Sequence, residues 1–269
     1  MKKLLILLPV LLLLAGCGKE APAPTEPAVK TVFVHSSITR TNGEAVSRTD
    51  YIYNEEDLLT DVIVSDGEGQ ELQRYLVTCD EFGNPVQWDT SVSGMASSVA
   101  YTYDDRGRTL GTYAYTEDTL VTSTENTFSG ELPIRVTIKS PAQNFEQRTE
   151  YTYDEKGSLT RQDQYVGGVL TGYGLYTVSE DGKPLRCDNY SPEGTLISVI
   201  TYAYDGTMET RTITDATGEL VTQIQTMTYD EHGNLLSSSI CDGNDLALSS
   251  EEHTWRAIEV PVDVPRAGV

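Results

Sequence analysis

The chain has 269 residues, a formal net charge of −22 at pH 7, and only 38% hydrophobic residues. Such an excess of acid argues against nucleic acid and anionic lipid headgroups as partners, because both repel a polyanion. Cationic partners or divalent cations are compatible with it. A simpler explanation is that acidic turns keep an exported β-sheet soluble and deter pairing between sheet edges.

The first 16 residues have the features of an export signal. Lys2 and Lys3 precede an apolar run, residues 4–14, that is too short to span a membrane as a mature helix. Leu14-Ala15-Gly16-Cys17 resembles a bacterial lipobox, which predicts diacylglycerol on Cys17 and a mature chain that begins there. We therefore expect an exported lipoprotein, anchored to the outer face of the cell membrane or to the outer membrane. The alternative is an ordinary secretory signal followed by an incidental cysteine.

A proline-rich tether follows the lipobox. Pro22, Pro24 and Pro27 among Ala, Glu and Thr predict an extended segment over residues 17–31 that holds the folded part off the membrane. The sequence predicts a folded domain over residues 32–257. Residues 258–269 form a C-terminal tail, in which prolines oppose strand formation.

One short motif recurs through the predicted domain. Its cleanest copy, Tyr-Thr-Tyr-Asp-Glu-Lys-Gly-Ser-Leu at residues 151–159, alternates large and polar residues like a half-buried strand. Asp154 then suits the start of a turn, and Gly157 suits its left-handed position. Equivalent anchor residues recur every 24 to 26 residues, which indicates a repeat architecture. The anchors are Tyr53, Cys79, Tyr103, Phe128, Tyr153, Val178, Tyr204 and Tyr229, with Trp255 as a terminal echo.

These residues resemble the YD repeat of RHS and related cell-surface proteins, over roughly residues 44–257. The resemblance implies a β-sheet repeat domain on the cell surface, and sugar binding has been proposed for some members of that family. Many long members carry a toxin domain inside a repeat shell; from its length and the lack of an additional C-terminal domain in the sequence we do not expect that role for this chain. Three copies depart from the pattern: Asn54 replaces the Asp of the first, and the turns after Phe128 and Tyr204 are shortened.

The predicted fold is all-β. Each of eight repeats supplies two strands and two turns. With a first strand from about Val32 and a last strand at Trp255, this gives an antiparallel meander of about 18 strands and no helix. The low hydrophobic content disfavours a two-layer sandwich, so we expect a twisted or curled single-layer sheet or open shell. A closed barrel and two separate sheets are the alternatives. Stability would be nearly additive along such an array.

The turn geometry also predicts which side chains share a face. The anchors, the residues two positions before them, and a column opposite the anchors should form one aromatic and aliphatic stripe. The predicted opposite column is Leu59, Pro85, Thr109, Ile134, Leu159, Pro184, Thr210 and Leu235. Cys187 and Cys241 would lie about four strands apart, too far for a disulfide, so we expect free thiols.

Catalytic and metal motifs are absent from the sequence. It holds three histidines and no nucleophile elbow, zincin motif or P-loop. The recurring Asp-x-x-Gly turns offer too few oxygen ligands for calcium loops. We therefore expect no enzyme activity, no cofactor and no metal site.

Binding is the remaining functional class. Tyr115, Tyr165 and Tyr190 occupy one repeat column, twelve residues after the anchor, and could stack on sugar rings or peptide. Alternatively, they simply extend the packed stripe. Two functions follow: a surface-tethered binding or adhesion module for glycan or protein, or a structural or envelope-assembly lipoprotein whose sheet edges dock a partner protein.

Overall fold

A computed structural model of the chain describes residues 29–41, 44–92 and 94–259. Together these segments form 18 strands and one short 3-10 turn, Pro141–Gln143. The all-β, antiparallel prediction and the predicted strand number are confirmed. The strands are β1 (Val29–Thr41), β2 (Glu44–Tyr53), β3 (Leu59–Asp66), β4 (Glu71–Cys79), β5 (Pro85–Val92), β6 (Met95–Tyr103), β7 (Thr109–Thr116), β8 (Thr119–Ser129), β9 (Leu132–Ser140), β10 (Phe145–Tyr153), β11 (Leu159–Val166), β12 (Val169–Val178), β13 (Pro184–Tyr190), β14 (Leu196–Asp205), β15 (Met208–Asp215), β16 (Val221–Tyr229), β17 (Leu235–Asp242) and β18 (Ala247–Glu259).

The sheet closes into a barrel, and the prediction of an open sheet or shell is wrong. Each strand pairs antiparallel with the next along the chain, and β1 pairs with both β2 and β18. Closure removes the exposed edges that a wide meander would otherwise present. The sequence could not show this pairing, because β1 and β18 lie at opposite ends of the domain.

The predicted turn forms at the anchor hairpins. In the cleanest copy, Asp154 Oδ1 accepts hydrogen bonds from the backbone N–H groups of Lys156 (2.9 Å) and Ser158 (2.8 Å). Gly157 follows in the left-handed region at φ 83°, where a Cβ would be strained. The same side-chain capping recurs at both ends of the barrel, led by Asn54, Asp66, Asp80, Asp104, Asp230 and Asp242.

A β-bulge follows most of these turns and sets the register. Thr152 pairs with Arg161 while Tyr153 pairs with Leu159, so one extra residue, Thr160, enters the second strand. Two members of the predicted column opposite the anchors are wrong by one position. Phe128 pairs with Pro133 instead of Ile134, and Tyr204 with Glu209 instead of Thr210. Both belong to the shortened turns, which bring the second strand into register one residue earlier.

The tyrosine stripe lines the inside of the barrel. Burial raises the pKa of Tyr101 on β6 to about 12, and the phenols of Tyr51 and Tyr75, on β2 and β4, add to the shift. Tyr51 on β2 and Trp88 on β5 pack against one cluster on β3 and β4, and side chains from strands this far apart meet on a concave face. On the same face, Leu59, Val62 and Tyr75 form a buried cluster, and Trp88 packs between Tyr75 and Tyr101 with both ring centroids 5.8 Å from its own.

Several anchors also tie neighbouring hairpins together. The Tyr103 hydroxyl donates to the backbone oxygen of Pro85 (2.7 Å), and the Tyr153 hydroxyl to that of Pro133 (2.7 Å). Each acceptor lies opposite the preceding anchor, beside the bulge where the strand ladder is interrupted. An anchor therefore satisfies a backbone group that the preceding hairpin leaves facing inward.

Among the described residues, Cys79, Cys187 and Cys241 are free thiols. Cys187 is 1% exposed, and burial raises the pKa of its thiol to about 11. It packs on the inner face opposite Tyr176 and Ile200. This environment keeps the thiol protonated and unreactive at neutral pH.

Candidate binding surface on the outer wall

The three tyrosines singled out by the sequence lie on the outer face, opposite the stripe. Tyr165 is twelve residues after the anchor Tyr153, an even spacing that would keep both on one face of a regular strand. The bulge at Thr160 inserts one residue and reverses the alternation. Tyr165 therefore pairs with Arg148 on the outer wall, and Tyr115 and Tyr190 are turned outward in the same way.

Two of the three belong to one surface, and a fourth tyrosine connects them. Tyr173 on β12 lies directly opposite Tyr190 on β13, and their rings stack with centroids 5.1 Å apart and planes 17° from parallel. Tyr165 lies on β11, next to β12. Sequence reasoning missed Tyr173 because the equivalent positions in the other two repeats are Arg148 and Ser98, which are not aromatic. Counting the bulge would have placed Tyr173 beside Tyr190.

Arginine side chains cover the tyrosine rings. The Arg161 guanidinium lies 4.3 Å from the Tyr173 ring centroid, and that of Arg148 lies 4.3 Å from the Tyr165 centroid. Such cation–π contacts stabilise by about 0.5–1 kcal/mol at exposed sites. Together Arg148, Arg161, Tyr165, Tyr173 and Tyr190 form what we call the Arg–Tyr surface.

Carboxylates neutralise this surface locally. Asp163 accepts hydrogen bonds from Arg161 at 2.6–2.9 Å, and these bonds raise the pKa of the guanidinium. Arg148 lies 3.4 Å from a carboxylate oxygen of Glu150. The surface is therefore aromatic and close to electroneutral on a strongly acidic protein. It can offer ring edges, phenol hydroxyls and guanidinium groups to a ligand without the repulsion that the net charge would impose on an anion.

Tyr115 is not part of the Arg–Tyr surface. It lies on β7, four strands and about 19 Å along the wall from Tyr165 on β11. It lines a separate cleft together with Asp89, Glu117 and Asp118. The structure thus brings together two of the three predicted tyrosines and separates the third.

Three further features are metal sites, membrane-spanning helices and the export segment. Within residues 29–41, 44–92 and 94–259 no group of three or more His, Cys, Asp or Glu side chains could hold a metal ion. No helix in that part of the chain is long and apolar enough to cross a membrane. The export signal, Cys17 and most of the tether lie outside the described residues.

No protein-family model matches the sequence, and neither does any curated protein. Similar solved structures include a TcdB2-TccC3-Cdc42 complex, with 11% identity, a TM-score of 0.34 and coverage of 81% of this chain and 18% of that chain. The Tc holotoxin pore of Photorhabdus luminescens has 14% identity and a TM-score of 0.33, and the match covers 85% of this chain and 16% of that chain. A porin-like protein from Bacteroides uniformis has 11% identity and a TM-score of 0.33, and the match covers 86% of this chain and 100% of that chain. The chain spans less than a fifth of the Tc toxin chains that it matches. Similarity at this level supports no statement about activity.

Proposed function

We propose that the chain is a lipid-anchored surface protein of the YD-repeat type whose barrel is a non-catalytic binding or adhesion module for glycan or protein. The observation that carries the binding role is the Arg–Tyr surface. Tyrosine and arginine are the side chains that most often supply binding energy at recognition surfaces, because they combine a large apolar area with hydrogen-bonding groups. We propose no enzyme activity and no cofactor for it.

The YD-repeat assignment, with eight units of about 25 residues, rests on features that recur from hairpin to hairpin. They are the Asp-led turn, the bulge that follows it, and the inward anchor. The surface location rests on Cys17 and the export signal before it. Cys17→Ser tests the anchor: labelled fatty acid should enter the native protein and not the variant, and the variant should leave the membrane fraction.

Ligand binding can be tested on glycan arrays with the protein expressed without residues 1–16 and with Cys17→Ser, so that lipid does not interfere. Tyr173→Ala removes the central ring of the Arg–Tyr surface, and Tyr165→Ala removes a ring next to it. Both should abolish binding. Tyr115→Ala is the matched control, because it deletes an outward tyrosine four strands away and should bind like the unmodified protein.

The test separates the proposed surface from other sites. Binding lost in Tyr115→Ala and kept in Tyr173→Ala would move the site to the acidic cleft and overturn the Arg–Tyr surface. A blank array together with specific capture of an envelope protein would favour the structural or envelope-assembly role. Closure argues against the edge-docking form of that role, because each of the 18 described strands has a paired strand on either side.

A further inference from the structure

The strands that close the barrel reproduce the geometry of an anchor hairpin. In the hairpin of β10 and β11, Thr152 pairs with Arg161 and Tyr153 with Leu159, with one residue bulged between the two partners. At the closure, Thr254 of β18 pairs with Ser36 and Trp255 with Val34 of β1, again with one residue between the partners. The anchor, the threonine before it and the bulge on the opposite strand all correspond.

The side chain of Trp255 makes the contact of an anchor as well. Its Nε1 donates to the backbone oxygen of Leu235 at 2.6 Å. Leu235 lies opposite the preceding anchor, Tyr229, just as Pro133 lies opposite Phe128. Trp255 therefore stands twenty residues beyond its acceptor, the spacing found between Tyr153 and Pro133.

One part of the unit is missing from the closure. Every other anchor strand continues through a turn into its partner, whereas β18 and β1 belong to opposite ends of the domain. In place of the turn, the two strands pair again after a second register shift, between Val34 and Thr31. Beyond it, Thr31 lies opposite Ala257, Lys30 opposite Ile258 and Val29 opposite Glu259. The result is the longest strand pairing in the described part of the barrel.

We propose that β18 and β1 form a ninth hairpin unit divided between the two ends of the domain, and that β1 is a latch whose extension past the anchor replaces the absent turn. Without a connecting turn, this is the one seam at which adjacent strands can separate without stretching a short connection. The predicted tether joins the barrel at Val29, so the latch is also the strand that links the barrel to its membrane anchor. That last consequence depends on the proposed lipoprotein function; the latch itself does not.

Hydrogen–deuterium exchange on the full chain tests the latch. Ala257→Pro places proline in the extension, where it disrupts the pairing of β18 with β1. Amide exchange in residues 36–41 and 249–255 should accelerate at least tenfold, while β10 and β11 stay unchanged. Unchanged exchange at the seam would overturn the proposal. Equal acceleration in all strands would also overturn it, because the seam would not then open as a separate element.

A covalent rescue separates loss of the latch from general damage. Lys30→Cys and Ile258→Cys, added to Ala257→Pro, place two thiols on paired positions within the reach of a disulfide. Oxidation should restore protection at the seam and reduction should remove it again, with the new bridge identified by mass mapping. Protection that does not respond to oxidation would refute the latch. Neither readout requires a ligand or a lipid, so failure here is distinguishable from failure of the proposed binding function.

Discussion

Removing the hydroxyl of a single anchor tests whether anchors couple neighbouring hairpins. In Tyr103→Phe the ring remains on the inner face, but the 2.7 Å hydrogen bond to the Pro85 backbone oxygen is lost. The hydroxyl is part-buried, and this burial is the main cause that raises the pKa of the Tyr103 phenol above its usual value of 10. A lost hydrogen bond costs about 0.5–1.5 kcal/mol, and a buried acceptor left unsatisfied about 1–3 kcal/mol. We expect the free energy of unfolding to fall by about 1–2 kcal/mol.

Urea denaturation measures this change, with Tyr115→Phe as the matched control. Tyr115 faces outward, and its substitution should change stability by less than about 0.5 kcal/mol. The urea concentration at the unfolding midpoint should therefore be lower for Tyr103→Phe, while the slope of the unfolding free energy against urea concentration should stay the same. Equal stabilities for the two variants would refute the anchor coupling, because the inward hydroxyl would then contribute no more than an exposed one.

Three further predictions follow from the turns and the buried titratable groups. Gly157 has φ 83°, and a Cβ there would meet nothing closer than Leu132 Cδ1 at 3.8 Å. Gly157→Ala should therefore lower the free energy of unfolding by about 1 kcal/mol from backbone strain alone, as measured by urea denaturation. Gly157→Asn should lower it less, because Asn tolerates this conformation better. Burial raises the pKa of Tyr101, Tyr202 and Tyr204 to about 12. The stability that their neutral forms provide is therefore complete below pH 10 and is lost as the pH rises towards 12. Tyrosinate absorbance should rise together with unfolding, and full ionisation near pH 10 in a folded protein would contradict the inner-face assignment. Burial lowers the pKa of His253, whose neutral form the fold favours, so stability should decline as the pH falls below about 6.5. His253→Gln should weaken that decline between pH 7 and 5, and an identical pH profile would contradict it.

Local features of the fold could be predicted from the sequence because they depend on a few adjacent residues. The strand alternation before Tyr153, the Asp154 turn and the left-handed Gly157 all follow from residues 151–159, and the structure reproduces them. At the two shortened turns the residue predicted opposite the anchor was wrong by one position, because pairing after a turn follows turn length and not the 25-residue period. Closure could not be predicted, since it depends on pairing between β1 and β18, which no local pattern encodes.

The candidate site was predictable only in part. The sequence identified Tyr165 and Tyr190 from their shared column, but the same reasoning assigned them to a packed stripe or to exposed stacking positions without resolving the face. One bulged residue after each anchor decides that question by reversing the alternation after the turn: Thr160 for Tyr165 and Leu185 for Tyr190. Tyr173 and the two arginines belong to the Arg–Tyr surface because of cross-strand pairing, which a single repeat column does not reveal.

Closure of the barrel is the claim on which the interior stripe, the outer Arg–Tyr surface and the latch all depend, and a cross-link between its first and last strands tests it most directly. Thr39 on β1 and Glu251 on β18 are paired residues, so Thr39→Cys with Glu251→Cys should form an intramolecular disulfide in the monomer under mild oxidation. In an open meander the same two strands would lie at opposite edges, about 80 Å apart at the usual strand spacing. Mass mapping of a 39–251 bridge in the monomer is the predicted result, and a monomer whose two new thiols stay free would contradict closure.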